Sequence, residues 1–380
     1  MQRLPVLALA VGLALAVGGC GGAGHGSPTP PAPPAAVGWH ELALPAVTGW
    51  RPAVRAATAC AGRWYVVGAL LRGDDSRPAA WSGATGGELR PIRLSPHGGY
   101  ARQAVLTTVA CRGRRVVAIG SKRGGAHGYP RYSTWLGSTA GLVGTEPAYT
   151  LFAGEDGVDV GRVVAGPHGW LVAGTRTSGA AAWTSADGAA FTLHSGGRAL
   201  AGDGAAASDA AYAGGWTLVG SDGSATRAPV AWRSPDGVHW TRERVPATGY
   251  ATLERTVATG GGVVAAGLDE GSDAFGLWTR TDGGWRSAGV FGSLDQEAAG
   301  APAYVSGLAA AGDDVLAAVS DQHVFRLWWR HGGDWREVRT PTRPQVRGDA
   351  TMTVAATGAG VLLLADDGTR GRVWTAAWPP

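Results

Sequence analysis

Lysine is almost missing from this chain: Lys122 is the only one, so arginine supplies nearly all of the 33 basic residues. The arginines are scattered and interleaved with acids, which argues against the clustered basic face of a nucleic-acid binder despite a net charge of +4. Charged residues make up only 16% of the chain while the hydrophobic share is an ordinary 45%, so neither wholesale disorder nor a many-span membrane protein fits. Cysteine is scarce at three residues and forms no CxxC pair. There is no G-x-S-x-G elbow and no P-loop, and His40-Glu41 is not a zinc-protease motif because position 44 is leucine. The acidic stretches Asp156 to Asp159 and Asp269 to Asp273 read as polar loops. No metal and no cofactor is therefore expected.

Glycine and tryptophan are in excess, at 63 and 17 residues. A glycine-rich chain studded with Trp implies many short strands joined by tight turns.

The N-terminus reads as an export signal. Met1-Gln2-Arg3 is a short positive start, Leu4 to Val17 is apolar, and small residues lead to Cys20. Val17-Gly18-Gly19-Cys20 resembles the lipobox of bacterial lipoproteins, with Val17 where leucine is commoner. The resemblance implies that the leader, residues 1–19, is cut after Gly19 and that the Cys20 sulfur carries a diacylglyceryl group. Residues 20–36 are rich in Gly and then Pro, cannot bury a core, and form a tether with a reach on the order of 40 Å at about 3 Å per residue. Such a protein is expected outside the cytoplasm, held to the membrane by lipid.

Residues 37–380 repeat. Trp81, Trp135, Trp183, Trp232, Trp278, Trp328 and Trp374 are 54, 48, 49, 46, 50 and 46 residues apart. Within a unit, a strand-like run ending in glycine, such as Trp64 to Gly68 or Trp170 to Gly174, is followed by a variable loop and the strand holding the repeat Trp. An Asp-Gly turn then opens a last strand, often on another aromatic. Four strands per unit, repeated radially, predict an all-β fold: a seven-bladed β-propeller with four-stranded antiparallel blades. The last unit ends after its third strand, while Trp39 to Pro45 matches the fourth-strand spacing of Trp335 to Pro341. Trp39 to Leu44 is thus expected to complete the last blade and close the ring.

The hairpins resemble the Asp-box of sialidase-type propellers, S-x-D-x-G-x-x-W. Ser185, Asp187, Gly188 and Phe191 match it, as do Ser234, Asp236, Gly237 and Trp240, while Thr281 to Trp285 is a degenerate copy. The resemblance covers hairpins only, and in that family the box is a structural turn remote from the active site.

Cys60 and Cys111 stand in matching phrases, Cys-Ala-Gly-Arg and Cys-Arg-Gly-Arg, 51 residues apart, which reads as equivalent sites on adjacent inner strands. In an exported protein the two are expected to form a disulfide; the alternative is two separately buried small side chains.

Most tryptophans fall on repeat positions and read as packing between blades; Trp50 is an exception that sits in a loop. The longer, more varied connections lie on one face: Leu71 to Pro78, Ser121 to Arg131, Arg198 to Ser208, Asp269 to Asp273 and Ser293 to Pro302. Arg51, Arg55, Arg102, Arg162 and Arg255 should lie on that face near the axis, Arg51 and Arg102 matching because each stands nine residues before a cysteine. A ring of guanidinium groups suits a carboxylate or phosphate ligand, whereas an arginine-rich composition alone also puts arginine in most loops.

Two functions follow. One is a monomeric, non-catalytic binding or scaffold propeller with a protein or glycan partner on the loop-rich face. The other is a sialidase-like glycoside hydrolase, which the arginines and Asp-box-like turns suggest. That family's F/Y-R-I-P segment is missing, its blades number six, and no Tyr/Glu pair can be assigned from the sequence.

Overall fold

The computed structural model describes residues 33–123, 128–202, 204–225, 227–295 and 301–379. The leader, Cys20 and the tether through Ala32 lie outside the described residues.

Each repeat folds into one antiparallel sheet, giving seven sheets among the described residues. The inner strands are Arg51–Cys60, Val105–Arg112, Gly157–Gly166, Ala206–Tyr212, Arg255–Thr259, Tyr304–Ala311 and Thr351–Thr357, for blades one to seven. Each touches the inner strand of the next blade, and the seventh touches the first, so the blades form a ring.

The ring closes through the N-terminal segment. His40–Leu42 pairs antiparallel with Gly371–Ala376, matching His40 to Thr375 and Leu42 to Val373, as the outer strand of blade seven. Just before it, Ala35 bridges Val338 of blade six, and the Trp39 indole N–H donates to the Arg339 carbonyl at 2.8 Å. Blade two departs from the regular plan: Leu94–Pro96, from the connection after blade one, adds a fifth strand parallel to Gly141–Thr145.

The repeat tryptophans fill the spaces between blades. Trp135, Trp183, Trp232 and Trp278 are almost wholly buried. Three of them also pin the chain entering their blade: the indole N–H of Trp183 donates to Leu151 O, that of Trp232 to Ala199 O and that of Trp278 to Pro246 O, at 2.7 to 2.8 Å. One side chain thus packs two blades and satisfies a loop carbonyl.

The matching hairpins of blades three and four use one hydrogen-bond scheme. Ser185 Oγ accepts from Gly188 N, and Asp187 Oδ1 accepts from Ala189 N and Ala190 N; Ser234 and Asp236 do the same for Gly237, Val238 and His239. Gly188 has φ of +82°, and a Cβ there would meet Val117 Cγ2 at 2.5 Å, so glycine is required twice over.

Cys60 and Cys111 are bonded, with Cα atoms 6.0 Å apart. Their positions are not equivalent, as the matching phrases suggested. Cys60 pairs with Arg63 at the hairpin end, whereas Cys111 pairs with Val116, one step before the corresponding Arg112–Arg115 pair. That one-residue offset makes the bond geometrically feasible. Side chains alternate between sheet faces, so truly equivalent residues on adjacent blades point the same way around the ring. With the offset, Cys60 and Cys111 share the core between blades one and two, while Ala59, the register equivalent of Cys111, faces blade seven.

Candidate functional site on the loop-rich face

Antiparallel order puts the first-to-second and third-to-fourth turns of every blade on one face and the remaining connections on the other. The inner strands begin on this second face. Leu71 to Pro78 is shorter there than the sequence suggested: Arg63–Arg72 and Asp75–Ala84 run together as one long hairpin.

The inner strands of blades one to four carry a bulge near their start, at Val54/Ala56, Leu106/Thr108, Val160/Val163 and Ala207/Asp209. Opposite each stands the glycine that ends the second strand. A Cβ on Gly68 would overlap Ala53 O, and one on Gly220 would overlap Ala206 O. The bulge brings the inner backbone into the space a side chain would fill, and glycine makes room.

Arg55 and Arg162 stand in two of these bulges, and both meet buried carboxylates of a neighbouring blade. Arg55 binds Asp366 of blade seven at 2.7 Å, and Arg51 binds the same carboxylate at 3.2 Å and Asp349 at 3.7 Å. Arg162 grips Asp209 of blade four with Nε at 2.8 Å and a terminal nitrogen at 2.7 Å. That nitrogen also donates to Thr256 O of blade five, and Thr256 N donates back to Asp209, so three blades share the contact. Burial works against the Arg162 charge, but Asp209 outweighs it and holds the guanidinium above its ordinary pKa. Arg255 donates to the backbone carbonyls of Ser306 and Glu254.

Four of the five arginines therefore brace blade against blade. Arg102 does not join them. It stands in the short turn Ala101–Gln103, because the inner strand of blade two starts only at Val105, and it is exposed to solvent and without an ion pair among the described residues. Trp50 lies under two guanidinium groups, those of Arg72 at 4.5 Å and Arg77 at 4.3 Å from the ring centre.

The cleft that opens on this face went unnoticed in the sequence. It has a volume of about 570 Å³ and lies over blades four to six, lined by Arg227, Tyr250, Thr252, Glu254, Glu270, Tyr304 and Gln322 among others. Glu254 Oε2 accepts from Val305 N at 2.5 Å across the junction of blades five and six. Burial pushes its pKa up to about 7, against the pull of that hydrogen bond and of Arg255. Burial also raises the Tyr304 hydroxyl, with the charge of nearby Glu254 acting in the same direction and Arg255 opposing. The clue in the sequence is the dipeptide Glu254-Arg255, which pairs an acid with an arginine at the start of an inner strand. A larger groove, about 740 Å³, follows the outer rim between blades three and four past His194, His239 and Trp240. Its His239 is engaged by Asp236, and Arg242 by Asp222.

No family model and no curated protein matches this sequence. Among solved structures it is similar to the β-propeller domain of the Trilobed protease from Pyrococcus furiosus, described as having an open velcro topology. The identity is 10% and the TM-score 0.50, over 87% of this chain and 93% of that one. Pyrococcus horikoshii acylaminoacyl peptidase aligns with 8% identity and a TM-score of 0.49, over 86% of this chain and 51% of that chain. These likenesses concern the fold alone. The class the fold defines is the seven-bladed β-propeller, in this chain closed by a strand from its N-terminal side.

Proposed function

We propose that this chain is a lipid-anchored, non-catalytic binding propeller displayed outside the cytoplasm, with its ligand or partner on the loop-rich face. The observation that carries the binding role is the cleft over blades four to six, where charged, aromatic and apolar side chains converge on the face that bears the connections between blades. The arginines nearest the axis are already committed to Asp366 and Asp209, which favours a rigid platform over a set of free groups awaiting an anionic substrate. The leader and Cys20 support the address. Labelling cells with an alkyne fatty acid tests the anchor: label on the full chain and none on Cys20→Ser is the expected result.

A glycoside hydrolase is the second reading. Glu254 and Tyr304, an acid and a phenol in one cleft, speak for it. A panel of chromogenic glycosides, sialosides included, separates the two readings. Turnover lost in Glu254→Gln would overturn the non-catalytic proposal, and no turnover together with a partner cross-linked to the connections around the cleft is what it expects.

A further inference from the structure

Among the described residues, three carboxylates stand at the junctions between blades near the axis, and two of them have a guanidinium partner. Asp366 has Arg51 and Arg55, and Asp209 has both prongs of Arg162. Glu254 is the third. Its neighbour Arg255 turns to the carbonyls of Glu254 and Ser306 instead, and the hydrogen bond formed by the Glu254 carboxyl among the described residues comes from Val305 N. Unlike the other two, Glu254 lines an open cleft, with the rings of Tyr250 and Tyr304 in the same walls. A half-buried carboxyl with no guanidinium bonded to it, in a cleft that two aromatic rings also line, is the arrangement that an ammonium group completes.

We propose that this cleft binds a primary ammonium group, seated against Glu254 and between the Tyr250 and Tyr304 side chains, supplying the cation that Arg55 and Arg162 supply at the other two junctions. The inference rests on the binding reading above and names its ligand class. Glu270 and Asp295 at the cleft add negative charge. Arg227, which also lines it, lies 5.9 Å from the centre of the Tyr250 ring and opposes them. Binding must strengthen as Glu254 ionises, because a neutral carboxyl offers an ammonium little. The other charged or titratable groups facing Glu254 are Arg255 on its own strand, Tyr304 from blade six, and Glu270, Asp295 and Arg227 at the mouth; His323, 3.5 Å from Asp295, lies beside the mouth.

The test is calorimetry on the full lipidated chain in detergent, at pH 5.5 and pH 8.5. The probes are 1,5-diaminopentane, N-acetyl-lysine amide and, as the neutral isostere, 1,5-pentanediol. Both amines are expected to bind at least tenfold tighter at the higher pH, and the diol is expected not to bind. Glu254→Gln should abolish the pH dependence and weaken binding about tenfold, which also separates Glu254 from His323. Tyr250→Ala should weaken binding severalfold while leaving the pH dependence intact, and it keeps the test decisive if Glu254→Gln fails to fold. Diaminopentane binding alone identifies a small free amine as the ligand; binding of the lysine amide as well identifies a basic side chain of a partner. Equal binding of the diol, absence of heat with either amine, or affinities that neither pH nor either variant changes would overturn the proposal. A partner still captured on this face after such a result would leave the binding reading standing and remove only the ammonium.

Discussion

Arg162 of the third blade holds Asp209 of the fourth in a two-pronged ion pair at 2.8 and 2.7 Å, and the aspartate is wholly buried. Removing one partner of such a pair leaves an uncompensated charge, which costs about 3–5 kcal/mol. Arg162→Ala, which strands the wholly buried Asp209 carboxylate, should therefore lower the unfolding free energy measured in urea by an amount in that range, whereas Arg102→Ala, exposed and unpaired among the described residues, should shift it by no more than about 0.5 kcal/mol. Equal effects from the two would show that the pair does not brace the ring.

The disulfide makes a sharper demand on register. Cys111→Ser should lower stability by about 2–4 kcal/mol. Moving the thiol by one residue, with Ala59→Cys and Cys60→Ala combined, should leave both cysteines free to react with a thiol probe after unfolding without reductant. A bond recovered in that double variant would show that the two blades do not hold the alternation described above.

Closure depends on three paired residues, among which Leu42 is only 5% exposed. Leu42→Ala should destabilise by about 2–4 kcal/mol. Deleting residues 33–45 should cost more and leave Gly371–Ala376 as an open edge, seen as a lower melting temperature with concentration-dependent aggregation. An unchanged melting temperature would mean that the ring holds without this strand.

Stability should also vary with pH in two windows of opposite sign. Burial lifts Glu254 from 4.5 to about 7, so the folded state keeps a proton that the unfolded chain has released. Stability is then greatest below pH 4.5 for this group and falls as pH rises towards 7, by at most about 3 kcal/mol. Glu254→Gln should flatten that slope. Asp187, lowered by hydrogen bonds from Ala189 and Ala190, and Asp236, lowered by His239 and its turn, act the other way. Their contribution is present above the ordinary carboxylate value of 3.8 and is lost as pH falls below it. Urea midpoints measured from pH 3 to pH 9 in both chains check both slopes.

Much of the architecture was legible because a blade is a local object. The Trp spacing counts blades, since each Trp must fill the same gap between sheets. Asp-Gly turns mark hairpins because positive φ is a local requirement, and Trp39 to Pro45 could be assigned to the last blade because it repeats a local spacing. Even the glycine that ends the second strand was visible, although its reason, the carbonyl of a bulge standing where a Cβ would go at Gly68, was not. The site was harder to see. Counting back from cysteines matched Arg51 with Arg102, but the inner strand of blade one begins at Arg51 and that of blade two only at Val105, which leaves one arginine in an ion pair and the other in an exposed turn.

The sequence by itself determined how many blades form, where the ring closes and which cysteines could be joined, because these follow from repetition and from requirements met within a few residues. Only the tertiary structure decided which arginines are neutralised, which way each thiol points, and that Glu254 is the junction carboxylate without a guanidinium partner among the described residues. Those outcomes rest on contacts between blades some fifty residues apart, or some three hundred where the ring closes on Asp366, and one residue of offset reverses the side a side chain faces.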